Sequence, residues 1–97
     1  IIPTYNRALV LKRAIDSVLN QSFRDFHLII VDDGSSDHTQ EILSEYGHNP
    51  QLTLLKKSNA GVSSARNFGI EHSSAPWIAF LDSDDEWLPQ KLQMAQI

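Results

Sequence analysis

Residues 77–85 read Trp-Ile-Ala-Phe-Leu-Asp-Ser-Asp-Asp, an apolar run of strand length that ends in three carboxylates within four positions. Continuous apolar runs of this kind are typical of parallel strands that are covered on both faces. We predict a buried strand over Ile78–Leu81, with the polar range Asp82–Asp85 emerging at its carboxyl end, where open α/β sheets bind ligands. Carboxylates crowded together favour a hard divalent cation, Mg or Mn, shared with phosphate oxygens. The alternative is a solvated acidic turn that caps the next helix.

The composition is that of one small globular domain. The chain has 97 residues, of which 41% are hydrophobic and 21% are charged. Its formal net charge of −4 and its scattered Lys and Arg residues argue against nucleic acid as a partner, because phosphate backbones require a basic stripe. There is no cysteine, which excludes disulfides and thiolate zinc sites. No apolar run approaches the roughly 20 residues of a membrane helix.

The first predicted strand, Ile1–Ile2, is followed by Pro3, which we expect to end the ladder because it has no N–H. Asn6 is the expected N-cap of the first helix. That helix is indicated by apolar residues at helical spacing, namely Leu11, Ala14, Ile15, Val18 and Leu19. Its opposite, polar face is formed by Lys12, Arg13, Asp16 and Asn20.

Strands and helices alternate through the rest of the chain. Phe26 with Leu28–Val31 predicts a second strand, and Asp37 with Gln40 resembles a capping box for a helix that runs to about Tyr46. The later elements are a strand over Leu52–Leu55, a helix from about Val62 to Glu71, the strand Ile78–Leu81, and a helix that begins at Pro89. The order β-α-β-α-β-α-β-α predicts an α/β, Rossmann-like fold with a mostly parallel sheet flanked by helices.

Both ends of the chain lack boundary signals. The sequence begins inside a predicted strand and closes at Leu92–Ile97, within a predicted helix, without a stop signal. We therefore expect residues 1–97 to be one portion of a longer domain that is incomplete at its C-terminal end.

Three predicted strand ends carry polar residues: Pro3–Asn6, Asp32–Ser35 and Asp82–Asp85. The carboxyl ends of parallel strands lie at one edge, so together they indicate a nucleotide site. There an aromatic ring stacks on a base, carboxylates accept hydrogen bonds from base and ribose, and the acidic cluster holds a metal. Arg66 is expected near the same edge. The alternatives are a half-exposed surface aromatic, ordinary turn chemistry, and an Arg paired with a surface carboxylate.

Other nucleotide and catalytic motifs are absent. The first strand is not followed by Gly-x-Gly-x-x-Gly, and the chain contains no Gly-x-x-x-x-Gly-Lys-Ser/Thr loop, which disfavours nicotinamide enzymes and nucleoside triphosphatases. Ser35 lacks the Gly-x-Ser-x-Gly elbow. The histidines have no metal-ligand spacing, and we expect most of them to be exposed; they are His27, His38, His48 and His72.

Four motifs in order along nearly the whole chain resemble those of family-2 glycosyltransferases, inverting enzymes of the GT-A fold. The motifs are Ile1–Arg7, Val31–Asp37, Asn59–Ile70 and Phe80–Asp85. The resemblance implies an α/β fold of GT-A type and a donor that is a nucleotide-diphospho sugar, usually a UDP-sugar. It implies nothing specific about the sugar.

The resemblance also implies a role for each matching residue. Pro3, Thr4 and Tyr5 would line the base pocket. Asp33 would bind a base N–H, with Asp32 close by. The remaining implied residues are Arg66 at the nucleotide, Asp82 at the ribose and the metal, the adjacent Ser83, and Asp84 at the metal.

By the same resemblance, transfer of the sugar requires a general base, a carboxylate that lies well after the metal motif and therefore beyond residue 97. Asp85 and Glu86 are too near the metal to replace it. We expect these 97 residues to bind nucleotide weakly and to turn over nothing. The implied cofactor is Mg or Mn, and the implied acceptor is a saccharide or a lipid-linked group. The implied location is cytoplasmic, and peripheral association of the full-length protein with the inner face of the membrane is left open.

Two other functions fit part of the pattern. A strand that ends in Asp-x-Asp also opens the active site of haloacid-dehalogenase-type phosphatases, but there the motif follows the first strand. The second alternative is a non-catalytic nucleotide-binding module that keeps the fold, against which the intact carboxylate motif counts.

Overall fold

Three strands form one parallel sheet in the order β1-β2-β3 in the computed structural model, which describes residues 1–95. The strands are β1 (Ile2–Thr4), β2 (Leu28–Asp32) and β3 (Leu52–Lys56). The central strand β2 sets Ile30 opposite Ile2 on one side and opposite Leu54 on the other. The predicted parallel α/β architecture is therefore confirmed.

Four helices accompany the sheet within residues 1–95: α1 (Ala8–Leu19), α2 (Thr39–Ser44), α3 (Val62–Glu71) and α4 (Lys91–Ala95). The third helix has the predicted bounds. The second ends at Ser44 rather than near Tyr46, and the last begins at Lys91 rather than at Pro89. Gln96 and Ile97, to which the last helix was expected to extend, lie outside the described residues.

The apolar run of β2 is continuous because helices cover both faces of the sheet. Leu28 and Ile30 join one cluster of buried side chains, to which α1 contributes Leu11 and Ile15. Ile29 and Val31 point to the other face, where they pack with Ala65 of α3. Successive strand residues alternate between faces, so each buried aliphatic side chain stabilises the sheet on its own side by roughly 1.5–3 kcal/mol.

Helix α3 lies very close to the sheet at Gly69. A Cβ at this position would stand 2.8 Å from Cγ2 of Ile1 and 3.3 Å from Cγ2 of Val31. A side chain larger than hydrogen would therefore push the helix away. The absence of a side chain at Gly69 therefore permits the close approach of α3 to the sheet.

The predicted fourth strand, Ile78–Leu81, is not a regular strand, and this expectation was wrong in part. The segment does lie beside β1 in parallel: the Ile1 amino group donates to the Ala79 carbonyl at 2.8 Å, and the Leu81 N–H donates to the Ile1 carbonyl at 3.1 Å. Two hydrogen bonds to a single residue do not make a ladder. The segment nevertheless occupies the position of a fourth strand, in the spatial order β3-β2-β1 followed by residues 78–81.

Pro3 explains why this pairing goes no further. The main chain of Ile1 hydrogen-bonds to residues 79–81, whereas the Thr4 carbonyl accepts from the Asp33 N–H on the opposite side, towards β2. Because alternate residues of a strand bond to alternate sides, Pro3 faces the 79–81 side and has no N–H to donate there. Pro3 therefore ends that pairing, as predicted, but β1 itself continues through Pro3 to Thr4, which was not predicted.

Burial of the apolar run was also overestimated. Leu81 is 5% exposed, but Trp77 is 86% and Phe80 is 41% exposed, and Ile78 is likewise exposed. The segment lies at the edge of the sheet, where its outward side chains stay exposed.

The N-terminus of α1 is capped by a carboxylate from another part of the chain. Asn6, the predicted N-cap, has φ +50° and accepts a hydrogen bond from the Ser36 N–H through Oδ1. Asp37 instead accepts from the Ala8 N–H at 3.2 Å and from the Thr39 N–H at 3.0 Å, so one side chain serves the first turns of α1 and α2. Gln40 does not complete a capping box, because its amide donates to Asp32.

We predict that Asp37→Ala lowers the free energy of unfolding by about 0.5–2 kcal/mol, because two helix N-termini lose their acceptor. Partial desolvation acts to raise the pKa of the Asp37 carboxyl, but hydrogen bonds from Thr39 and Ala8 outweigh it and hold that pKa below its ordinary value of 3.8. The stabilisation is therefore fully present above the unfolded pKa of about 4 and is lost as the pH falls through the lower, folded pKa.

Urea unfolding at several pH values measures this difference. Asp25→Ala, at an exposed carboxylate in the connection before β2, is the control and is expected to change stability little. An Asp37→Ala deficit that stays constant down to pH 2 would contradict the proposed cap.

Candidate functional site

The carboxyl ends of the strands lie side by side at one edge of the sheet. Beyond the strands, the Asp33 N–H donates to the Thr4 carbonyl at 2.9 Å, and the Lys57 N–H donates to the Asp32 carbonyl at 3.0 Å. Residues 78–81 bring Asp82 to the same edge, on the other side of β1. The structure therefore brings the three predicted polar strand ends together.

The end of β1 offers one accessible side chain. Pro3 and Thr4 are buried, whereas Tyr5 is 47% exposed. The Thr4 hydroxyl has no hydrogen-bond partner within the described residues. Of these three residues, which were predicted to line a base pocket, Tyr5 is the one whose ring is reachable by a ligand without movement of the chain.

Asp32 is completely buried at the end of β2. One carboxylate oxygen accepts from the Ser35 N–H at 3.0 Å, and the other accepts from the Gln40 amide. This side chain thus fixes the turn that follows β2. Gly34 makes this turn possible, because its φ of +77° and a Cβ that would lie 2.7 Å from the Asn59 backbone N exclude any larger residue.

Asp33 organises the loop between β3 and α3. Its carboxylate accepts from the Lys57 ammonium and from the N–H groups of Ala60 and Gly61, at 3.0–3.1 Å, and more distantly from the Asn59 amide at 3.4 Å. The carboxylate is thereby placed at the N-terminus of α3, which favours negative charge. Asp33 is 3% exposed, so a base N–H would have to replace one of these donors, of which Asn59 is the most distant.

We predict that Lys57→Met lowers the free energy of unfolding by about 1–3 kcal/mol. The substitution leaves the buried Asp33 carboxylate without its cationic partner, although three other donors remain. Lys56→Met, which changes the exposed neighbour in the same way, is the matched control. Chemical denaturation measures both, and equal effects of the two substitutions would contradict the structural role of the Lys57–Asp33 pair.

Arg66 lies at the predicted edge, where it pairs with the first aspartate of the acidic motif. Its guanidinium donates to Asp82 Oδ1 at 3.0 Å and stands over the Phe80 ring at 5.6 Å from the centroid. Arg66 Nε is buried and has no partner within the described residues. Arg66 and Asp82 border an open cavity of about 260 Å³, together with Phe80, Asp85 and Trp87.

Three exposed carboxylates form one group in the acidic loop, by which we mean residues Asp82–Asp85. Oxygen atoms of Asp82, Asp84 and Asp85 all lie within 4.8 Å of one another. Ser83 is buried, contrary to the expectation that the whole polar stretch emerges from the sheet. An all-oxygen donor set of this charge suits Mg²⁺ or Mn²⁺, and the spacing is close enough for modest side-chain rotations to converge on one ion. Asp85, which was expected to lie too near the metal to act as the general base, belongs to this group.

Two residues of α1 and one just past its end, none with a predicted role, hold the acidic loop and the segment after it. Arg13 donates to the Asp84 carbonyl, Ser17 accepts from the Trp87 N–H, and Gln21 bonds to the backbone of Leu88 and Leu92. The sequence signal was the spacing of four residues, which places Arg13 and Ser17 on one helix face. The four histidines are exposed, as expected.

Comparison with known proteins identifies the family. The sequence profile described as Glycosyl transferase family 2 matches residues 1–96. The chain belongs to this family. The resemblance to family-2 glycosyltransferases and the expected GT-A fold are thereby confirmed, and the similar solved structures described next are GT-A glycosyltransferases.

Several proteins that are similar to this chain have a name or a bound ligand. The chain is 38% identical to a chondroitin synthase of Pasteurella multocida over 94 residues, which cover 96% of this chain and 10% of that protein. TarS of S. aureus in complex with UDP superposes with a TM-score of 0.90 at 29% identity, covering 99% of this chain and 30% of that one. The mannosyltransferase PcManGT of Pyrobaculum calidifontis, in complex with GDP-Man and Mn²⁺, superposes with a TM-score of 0.84 at 25% identity, covering 97% of this chain and 29% of that one. The chain thus spans less than a third of each.

No helix within residues 1–95 combines the length and the apolar character that crossing a membrane requires.

Proposed function

We propose that this chain is the donor-binding portion of a glycosyltransferase that moves a sugar from a nucleotide-diphospho sugar to an acceptor hydroxyl with inversion. The observation that carries the proposal is the acidic loop beside Arg66 at the carboxyl edge of a GT-A sheet. Support comes from similar proteins that hold UDP or GDP-Man with Mn²⁺.

In this proposal the nucleoside lies at the ends of β1 and β2. The exposed Tyr5 ring stacks on the base, and the buried Pro3 and Thr4 form the floor beneath it. Asp33 accepts a base N–H in place of the Asn59 amide, and Asp32 keeps the turn behind it in shape. We propose uracil as the base, because the family's usual donors are UDP-sugars.

The diphosphate lies between Arg66 and the acidic loop. Asp82 contacts the ribose, the adjacent Ser83 supports this contact from its buried position, and Arg66 supplies positive charge once it leaves Asp82. Asp84 and Asp82, joined by Asp85, would hold Mg²⁺ or Mn²⁺. When bound, such an ion supplies Lewis-acid stabilisation of the departing nucleoside diphosphate.

The general base is proposed to lie outside residues 1–97. Asp32 and Asp33 are buried and hydrogen-bonded, and Asp82, Asp84 and Asp85 form the cation group, with Glu86 directly beside it. A base for the acceptor must instead face the sugar from the side opposite the leaving group. Residues 1–97 are accordingly expected to bind donor nucleotide weakly without turnover.

The acceptor is proposed to be a saccharide or a lipid-linked group in polysaccharide or cell-envelope biosynthesis, in line with the chondroitin synthase among the relatives. We propose a cytoplasmic location, with the longer protein peripherally associated with the inner face of the membrane.

We predict that UDP binds this chain more tightly with Mn²⁺ than without it, and that Asp84→Asn removes the metal-dependent part of the affinity because the cation loses a carboxylate ligand. Calorimetric titration of UDP and of GDP, each with and without Mn²⁺, measures this.

Asp25→Asn, which makes the same change before β2 at the opposite edge of the sheet, serves as the control and is expected to bind as the wild type does. A folded wild-type chain that binds no nucleoside diphosphate with Mn²⁺ or Mg²⁺ would overturn the proposal. Hydrolysis of simple phosphomonoesters would favour a phosphatase instead.

A further inference from the structure

Arg13 and Ser17, four residues apart on one face of helix α1, and Gln21, two residues past the helix end, form a row of three polar side chains. We propose that this row, which we call the α1 clamp, positions the acidic loop for its cation. The inference rests on the proposed function and adds positioning residues to it, because none of the three side chains belongs to the carboxylate group itself.

Each member of the clamp bonds to the main chain of residues 84–92. Arg13 Nη2 donates to the Asp84 carbonyl at 2.6 Å, and its Nε stands 4.0 Å from the Glu86 carboxylate. Ser17 Oγ accepts from the Trp87 N–H at 3.0 Å while it donates to the Ala14 carbonyl at 2.7 Å. The contacts thus follow the segment in register along the helix.

Gln21 is the anchor of the clamp. It is 1% exposed, which is unusual for a glutamine and requires that its amide be satisfied. The amide nitrogen donates to the Leu88 carbonyl at 2.8 Å, and the amide oxygen accepts from the Leu92 N–H at 2.9 Å. One buried side chain therefore holds both a donor and an acceptor of the segment that follows the acidic loop.

The segment needs such partners because it has little local structure. Residues 82–90 contain no helix or strand. Within the acidic loop, the Asp85 N–H donates to the Asp82 carbonyl at 3.0 Å and closes a turn. Main-chain groups that lack a ladder must be paired elsewhere or stay in water. The α1 clamp pairs the carbonyls of Asp84 and Leu88 and the N–H of Trp87, and it thereby limits where the carboxylates of Asp84 and Asp85 can lie.

Helix α1 also reaches the nucleoside half of the proposed site. Its N-terminus is held by Asp37, and Asn6 just before it is bonded to Ser35 and Ser36 of the connection after β2. Helix α1 therefore contacts both the base end and the cation end of the proposed site.

Arg13 provides a test in which electrostatics and positioning predict opposite signs. Arg13 is a cation next to a group of carboxylates, so by Coulomb's law alone its removal strengthens the binding of a divalent cation. If Arg13 positions Asp84, its removal weakens binding instead. Residues that orient metal ligands typically change metal affinity by about 10–100-fold when mutated.

The experiment compares Arg13→Met with Lys12→Gln in the 97-residue chain. Both substitutions remove one positive charge from an exposed side chain of α1, but Lys12 pairs with Glu45, away from the acidic loop. Electron paramagnetic resonance titration of Mn²⁺, in the presence of UDP, measures cation affinity directly. We expect Arg13→Met to lose about tenfold in Mn²⁺ affinity, Lys12→Gln to retain it, and UDP affinity without metal to stay unchanged in both.

A second pair of variants tests the clamp by a measurement that does not depend on metal. Ser17→Ala removes the acceptor of the Trp87 N–H together with one intrahelical bond, whereas Ser44→Ala removes only the equivalent intrahelical bond, to Glu41, in α2. We expect faster hydrogen exchange of the Trp87 amide, and weaker Mn²⁺ binding, in Ser17→Ala alone.

The outcomes separate the two proposals. Unchanged or tighter Mn²⁺ binding by Arg13→Met, or an unchanged Trp87 exchange rate in Ser17→Ala, overturns the clamp and leaves the proposed function standing. Failure of the wild-type chain to bind Mn²⁺ with UDP or GDP overturns the proposed function and the clamp's role towards a cation. Loss of affinity in Lys12→Gln equal to that in Arg13→Met also overturns the clamp.

Discussion

The parallel pairing of β1 with β2 is the constraint on which the rest of this structure depends. It sets Thr4 beside Asp32, and the hydrogen bonding continues past the strands where the Asp33 N–H reaches the Thr4 carbonyl. Every polar connection of the candidate site leaves from this edge. The two faces of the same sheet are closed by α1 and α2 on one side and by α3 on the other. The candidate site is thus confined to the edge, because the faces are used for packing.

The acidic residues at this edge divide into two groups with different physical tasks. Asp32, Asp33 and Asp37 accept hydrogen bonds from main-chain N–H groups and hold turns and helix ends in place. Asp82, Asp84 and Asp85 are exposed, and their main-chain groups, not their carboxylates, receive most of the support. Only the second group therefore has several carboxylates free to gather around a cation. Within this second group, Asp82 also pairs with Arg66.

Sequence periodicity was enough to predict the sheet and the helices that cover it. The apolar run at Leu28–Val31 could be recognised because each of its residues is buried on one face or the other, and α3 was predicted with its observed bounds. Local patterns failed where a partner lies far along the chain. The cap of α1 comes from Asp37, 29 residues away from Ala8, so no pattern around Asn6 reveals it.

Side-chain roles at the site were harder to predict than their location. The acidic loop, Arg66 and Tyr5 were correctly expected at one edge. The sequence did not show that Asp33 is engaged by four donors, because all four belong to the loop between β3 and α3, whose position depends on tertiary structure. The partners of Ser17 in α1 and of Gln21 just past it could not be predicted for the same reason, since they follow about 70 residues later.

These long separations have a consequence for the order in which the molecule assembles. The contacts between β1, α1 and β2 join residues fewer than 40 positions apart, whereas the clamp closes loops of 67 to 71 residues. Closing a longer loop carries a larger entropy loss, and long-range contacts form later in folding. During synthesis α1 therefore emerges well before the segment that it holds, and its polar row stays hydrated until residue 92 has left the ribosome. We expect the acidic loop to be the last part of the domain to become ordered and the first to open in the native state.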